Sequence, residues 1–275
     1  MTVLSLKEIH DGLIMKRVQD HYDEAKQHFA DKNIVGVFLQ GSQNYTLDIP
    51  GSDVDTKCIV TPTLEDIARL RKPVSTTFIR ENNEHVDEKD IRLYCECFRK
   101  QNLNFLEILF TPYSIINPLY AEQWGRLTEQ KEAIARMNPF RAVKTMKGIA
   151  LEKYHAMEHP YPSKLEVLAE YRYDPKQLHH LVRVDNYLTR FIAGESYAAC
   201  LIPEEKMREF LLDIKLGKLP LLAARQLAEL SLAHVTKIAD EFCAQTEEKE
   251  DPEVRELLTD VQYNMIKIAI EEELK

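Results

Sequence analysis

The stretch Gly41-Ser42-Gln43-Asn44-Tyr45-Thr46-Leu47-Asp48-Ile49-Pro50-Gly51-Ser52-Asp53-Val54-Asp55 constrains the fold more than any other. An apolar run, Ile34 to Leu39, leads into its Gly-Ser pair. A second apolar run, Cys58 to Val60, follows its Asp-x-Asp pair. The two runs read as strands, the second over Asp53–Val60, with a turn or short helix between them. Successive strand side chains point to opposite faces, so Asp53 and Asp55 project together, their Cα atoms roughly 6–7 Å apart, while Val54 points away.

Two aligned carboxylates make a hard-oxygen site suited to Mg²⁺, which also takes ligands from substrate phosphates. Two such ions, about 3.5–4 Å apart, can hold the attacking and leaving oxygens of an in-line phosphoryl displacement. Gly41 lets backbone approach a phosphate closely. Ser42 adds a hydroxyl and an N–H, and a helix starting near residues 43–47 would add more free N–H groups. Alone, Gly-Ser is an ordinary turn and Asp-x-Asp an ordinary surface pair. Between two strands, eleven residues apart from Ser42 to Asp53, they are far more specific.

The stretch resembles the Gly-Ser…Asp-x-Asp signature of the DNA polymerase β nucleotidyltransferase superfamily. Within it, the chain is most similar to the RlaP-like nucleotidyltransferases associated with RNA repair. Gly41, Ser42, Tyr45, Leu47, Pro50, Ser52, Asp53 and Asp55 match their pattern, whereas Thr46 stands where that family carries Gly. The resemblance also covers Asp90, Ile91, Tyr94, Arg99-Lys100, Asn104 and Leu106-Glu107-Ile108-Leu109-Phe110. It implies an α+β fold: a small mixed-sheet, polymerase β-like palm domain over residues 1–115, then an all-helical domain over 116–275 that closes the nucleotide cleft. It implies a third carboxylate on a neighbouring strand, joining Asp53 and Asp55 as metal ligand and activating the acceptor. Asp90 is the better match and Asp87 the rival. It also implies an NTP as substrate, Gly41, Ser42 and Tyr45 as nucleotide-binding residues, and two Mg²⁺ ions with Mn²⁺ as a substitute. The acceptor of the nucleoside monophosphate would be an RNA end, or alternatively a protein or small molecule. A non-catalytic nucleotide sensor is the remaining alternative.

A second informative stretch is Tyr173-Asp174-Pro175-Lys176-Gln177-Leu178-His179-His180-Leu181-Val182-Arg183. Asp174 suits an N-cap and Pro175 the first helical turn. Lys176, His180 and Arg183 then share one face. Spacing alone reads as an amphipathic helix with a solvated basic face. A similar segment in the family implies a cationic wall for a triphosphate facing the carboxylates. Glu107 sits in the apolar run Phe105–Phe110, where a charge is costly unless paired; it reads as a structural or rim residue.

The net charge of −9 argues against general nucleic-acid binding, which needs clustered Lys and Arg. Arg69-Leu70-Arg71-Lys72 and Arg99-Lys100 remain as local basic candidates, or as solvated helix ends. No apolar run approaches the ~20 residues of a membrane span, and the first residues lack a signal peptide's apolar core, so a cytoplasmic protein is expected. The five cysteines show no metal-ligand spacing and read as reduced. Elsewhere, periodicity predicts helices over 5–32, with Leu6, Ile9, Leu13, Val18, Tyr22, Ala25 and Phe29 inward, and over 91–102, 119–137 and 139–158. A long helix over Leu219–Thr246 would turn Leu227, Leu230, His234, Ile238 and Phe242 to one face, and a last helix starts at Pro252.

Overall fold

The computed structural model describes residues 5–29 and 33–275. Helix α1 (Leu6–His28) precedes strands β1 (Asn33–Gln40) and β2 (Asp55–Thr61). Then come α2 (Leu64–Ala68), β3 (Ser75–Ile79), β4 (His85–Asp90), α3 (Ile91–Arg99), α4 (Leu103–Leu106) and β5 (Ser114–Ile116). The rest is helical: α5 (Ala121–Glu129), α6 (Lys131–Ala135), α7 (Pro139–Ala156), α8 (Leu165–Tyr171) and α9 (Pro175–Ile192). It ends with α10 (Tyr197–Leu201), α11 (Glu205–Lys215), α12 (Leu221–Gln245) and α13 (Pro252–Glu273). The sheet runs β3-β4-β2-β1-β5; β2 and β4 are parallel and the other pairs antiparallel. The fold is therefore α+β, a mixed sheet followed by helices. No helix among the described residues is long and apolar enough to cross a membrane.

The Ile34–Leu39 run of β1 and the Cys58–Val60 half of β2 are buried on both faces because the sheet is covered on both sides. On one face Val37, Leu39, Val54, Cys58, Val60 and Val86 pack against Ile14, Val18 and Ala25 of α1. On the other, Val35, Phe38 and Ile59 join a core that runs through α3, α5 and α7 to α9, α12 and α13. That second core does not break at residue 115; β5 spans the expected boundary, and α13 returns to pack against α3, α5 and β2.

The helix starts follow their capping residues. Ser5 and Glu8 form a capping box, Asn138 caps α7, and Asp174 caps α9, accepting from the Lys176 amide at 2.9 Å. The expected end of α1 at Asp31-Lys32 lies outside the described residues. Two buried faces differ from expectation. In α1, Ile9 and Leu13 are exposed, and the seated stripe begins at Ile14 and continues through Val18, His21 and Ala25. The first turns of α1 are held by polar contacts instead, including Asp11 accepting from the Tyr113 hydroxyl at 2.6 Å. In α12, Leu230 is exposed and the buried stripe is Ala224, Ala228, Ser231, Val235 and Ala239. Small side chains every three or four residues let α12 lie close against α7 and α9, so packing distance outweighs hydropathy. The single helix expected over 119–137 is interrupted at Gln130, between α5 and α6.

Candidate active site

Strand β1 ends at Gln40, which pairs with Asp55, so the intervening loop is anchored at both ends by the sheet. Gly41 turns the chain with φ 99°, a conformation open to glycine without penalty. Ser42–Tyr45 then form one 3-10 turn, in line with the turn or short helix expected between the strands. The Asn44 and Leu47 amides donate inward, to the Gly41 and Ser42 carbonyls. Further bonds fix the loop: the Gln43 side chain donates to the Asp53 carbonyl at 2.7 Å, and the Asn44 side chain donates to the Leu39 carbonyl at 2.9 Å. Thr46, at the family's glycine position, adopts φ 60°.

Asp53, exposed, and Asp55, half-buried, line the edge of one cleft together with Gly41 and Ser42. The Asp55 carboxylate accepts from the His85 amide at 2.9 Å. The opposite face of this segment is held by a buried network. Glu84 accepts from the Val54 amide at 3.3 Å and from the His21 Nε2–H at 2.9 Å. His21 Nδ1 accepts from the Thr56 hydroxyl at 2.8 Å. Arg80 donates to Glu84 at 2.7 Å, and Arg17 also pairs with it. Burial, with Arg80 and Arg17 beside it, pushes the His21 imidazole down to about 4, so the ring stays neutral.

Asp90 is not part of the cleft. In the parallel β2–β4 register it lies opposite Val60, five residues beyond Asp55, roughly 16 Å along the strand. It is buried, caps α3, and binds the Arg92 guanidinium through both oxygens, at 2.9 and 2.6 Å. The role of third carboxylate beside Asp53 and Asp55 therefore does not fit its position. Asp87, the alternative, lies opposite Lys57 and so on the Asp55 face. Lys57 and Lys89 donate to it at 3.0 and 2.8 Å. Burial raises its carboxyl, but the two lysines prevail and hold it below the usual range.

The facing wall comes from the helices. Lys176, His180 and Arg183 all line the cleft from α9, with Lys153 of α7 and Lys215 of α11. Arg183 is 7% exposed, and its guanidinium lies 3.5 Å over the Tyr45 ring. Its Nε and Nη2 have no protein partner. Tyr45 is buried, so its ring is a platform beneath that guanidinium. Burial, with His179, Arg183 and Lys176 nearby, holds the His180 imidazole well below its usual range. The α11 helix clasps the loop through its backbone: Arg208 donates to the Thr46 carbonyl at 2.8 Å and Lys215 to the Leu47 carbonyl at 2.6 Å.

Three further residues join the cleft without having been expected there as ligands. Lys57 follows from strand arithmetic, since it shares a face with Asp53 and Asp55. His179 is one position from His180; its Nδ1–H donates to the Leu211 carbonyl at 2.9 Å, leaving Nε2 as an unpartnered acceptor. Glu107 was flagged by its charge in an apolar run. It is buried and accepts from the Gly41 amide at 3.1 Å. Burial pushes its carboxyl up to about 7 against the pull of Arg183, the Gly41 amide and Lys57.

The cleft encloses about 600 Å³, within the range of small-molecule sites. Among the described residues no group of three or more His, Cys, Asp or Glu side chains is arranged to hold a metal. Asp53 and Asp55 supply the hard carboxylate oxygens that a Mg²⁺ ion would take from the protein.

No protein-family model matches the sequence, and no curated protein matches it. Among solved structures, the chain is similar to a nucleotidyltransferase-like protein from Exiguobacterium sibiricum 255-15. The likeness has 13% identity, covers 82% of this chain and 75% of that one, and has a TM-score of 0.30, a level that fixes neither detail of the fold nor activity.

Proposed function

We propose that the chain is a divalent-metal-dependent nucleotidyltransferase of the RlaP-like kind. One observation supports this reading above the others. A carboxylate pair and a buried Arg183 with unpartnered N–H groups line one cleft. A triphosphate needs a metal on one side and fixed cations on the other.

In this reading Asp53 and Asp55 hold Mg²⁺, or Mn²⁺ in its place. Such an ion, held by these two carboxylates, would supply the positive charge that stabilises a phosphoryl displacement. Ser42 donates to a phosphate oxygen from the turn, while Lys176 and Arg183 neutralise the chain from α9. An acceptor hydroxyl attacks the α-phosphorus, the bond to the bridging oxygen breaks, and pyrophosphate leaves. Holding these groups in line is the larger part of such catalysis. The cleft carboxylates number two plus Glu107, so the donor set supports one ion more directly than two.

The resemblance favours an RNA end as acceptor. A second reading, a small molecule or protein as acceptor, is favoured by the local basic candidates. Arg69 and Arg71 pair with Glu65, Arg99 with Glu96 and Glu250, and Lys100 with Glu96, so these segments are internally neutralised. The proposed setting is the cytoplasm, in keeping with five free cysteines.

The test is incubation with each α-³²P-labelled NTP, Mg²⁺ or Mn²⁺ and total RNA, beside an Asp53→Asn/Asp55→Asn variant. Label in RNA that is lost in the variant supports the first reading; label on protein or a small acceptor supports the second. Metal-dependent NTP binding without any transfer would leave a sensor and end the catalytic claim.

A further inference from the structure

Glu107 places a carboxylate at the part of the cleft formed by the Gly-Ser turn and Arg183. Its Oε1 accepts from the Gly41 amide at 3.1 Å, at the Gly-Ser turn that the proposed function assigns to phosphate. Arg183 is near enough to draw its carboxyl toward the charged form, yet keeps two N–H groups without a protein partner. A carboxylate and a phosphate offer the same chemistry to such donors: oxyanions accepting from a backbone N–H and a guanidinium. Glu107 is also 94% buried beside aromatic rings, so its charge is poorly screened.

We propose that Glu107 is a resident competitor for the phosphate subsite, holding the Gly41 amide until a triphosphate oxygen takes it. The inference rests on the nucleotidyltransferase reading and adds a threshold to it. A ligand gains the cleft only by displacing or neutralising this carboxylate. A mononucleotide or nucleoside, with less charge to set against Glu107, gains less from the cations. The device therefore selects for polyphosphate chains.

Inorganic tripolyphosphate with Mg²⁺ is a probe that needs no knowledge of the base. Its affinity for the full-length protein can be measured by titration calorimetry. Glu107→Gln keeps an acceptor oxygen for the Gly41 amide and removes the charge, so binding should tighten, by roughly ten-fold for one like charge removed nearby. A merely structural Glu107 gives the opposite sign or none. A folded Glu107→Gln variant that binds no tighter than wild type overturns the inference while leaving the reading of the cleft intact. No binding by either protein removes both.

If Glu107→Gln fails to fold, the wild-type pH profile decides. Arg183, Lys57, Tyr45, Tyr94 and Tyr197 are the other titratable groups whose fields reach Glu107, and a Tyr, Lys or Arg does not change charge near pH 7. Tripolyphosphate gains charge as pH rises, which alone strengthens binding. Affinity that instead falls as pH rises through about 7, where Glu107 loses its proton, supports the competitor. Affinity that rises or stays level across that range overturns it.

Discussion

At the scale of single residues, Thr46 carries a cost that the sequence hints at and the backbone explains. Its φ of 60° is left-handed, where a Cβ crowds the following carbonyl by about 1–2 kcal/mol. Thr46→Gly removes that crowding but frees the unfolded chain, so a net gain of up to about 1 kcal/mol is expected in urea melts. A loss of stability would show that the threonine side chain makes a compensating contact. Gly41, Ser42, Asp53 and Asp55 stand out in the sequence because they form a turn and a strand pair, whereas Lys176, His180 and Arg183 share a helix face that spacing alone reads as solvated and only the resemblance ties to a phosphate. The structure brings them to one cleft. The placement of Asp87 and Asp90 was not legible, because it depends on the β2–β4 register, a pairing of segments some thirty residues apart. Glu107 showed only that a buried charge needed a partner. The partner, a backbone amide 66 positions away, has no sequence signature.

At the scale of elements, α1 is more than a cover for the sheet. Its His21 and Arg17 meet Glu84, which also holds the Val54 amide between the two cleft aspartates. Removing one partner of a buried charged network strands the others. Glu84→Ala should cost roughly 3–5 kcal/mol in equilibrium unfolding, and Glu84→Gln, which keeps the shape, distinctly less. A Glu84→Ala loss below about 1 kcal/mol would mean that the network does not hold this segment. The caps of α1, at Ser5 with Glu8, and of α9, at Asp174, were readable because they depend on neighbouring residues, whereas Asn138 read only as the stop of the preceding helix. The inward faces of α1 and α12 do not follow the positions of their largest apolar residues. The structure seats Ala228 and Ala239 and leaves Leu13 and Leu230 to solvent, since the neighbouring element sets the packing distance.

At the scale of the molecule, one core joins the sheet to the later helices, and the cleft lies between their contributions. The loop and the cationic wall meet through Arg208 and Lys215 of α11. Exposed or half-exposed cations add little to folding stability. The double variant Arg208→Ala/Lys215→Ala should therefore melt within a few degrees of wild type, yet bind Mg²⁺-tripolyphosphate roughly ten-fold more weakly, because the cleft loses the Lys215 cation and the wall its register on the loop. A variant that melts far lower would make the clasp a folding element. Both clasp contacts end on main-chain oxygens, of Thr46 and Leu47, which any amino acid supplies. The loop is thus gripped without being read. The clasp itself therefore places no demand on the side chain of Thr46, whereas Leu47 is held by its own burial in the core, and a loop of different sequence but equal path that keeps an apolar residue there should graft into this cleft without redesign of α11.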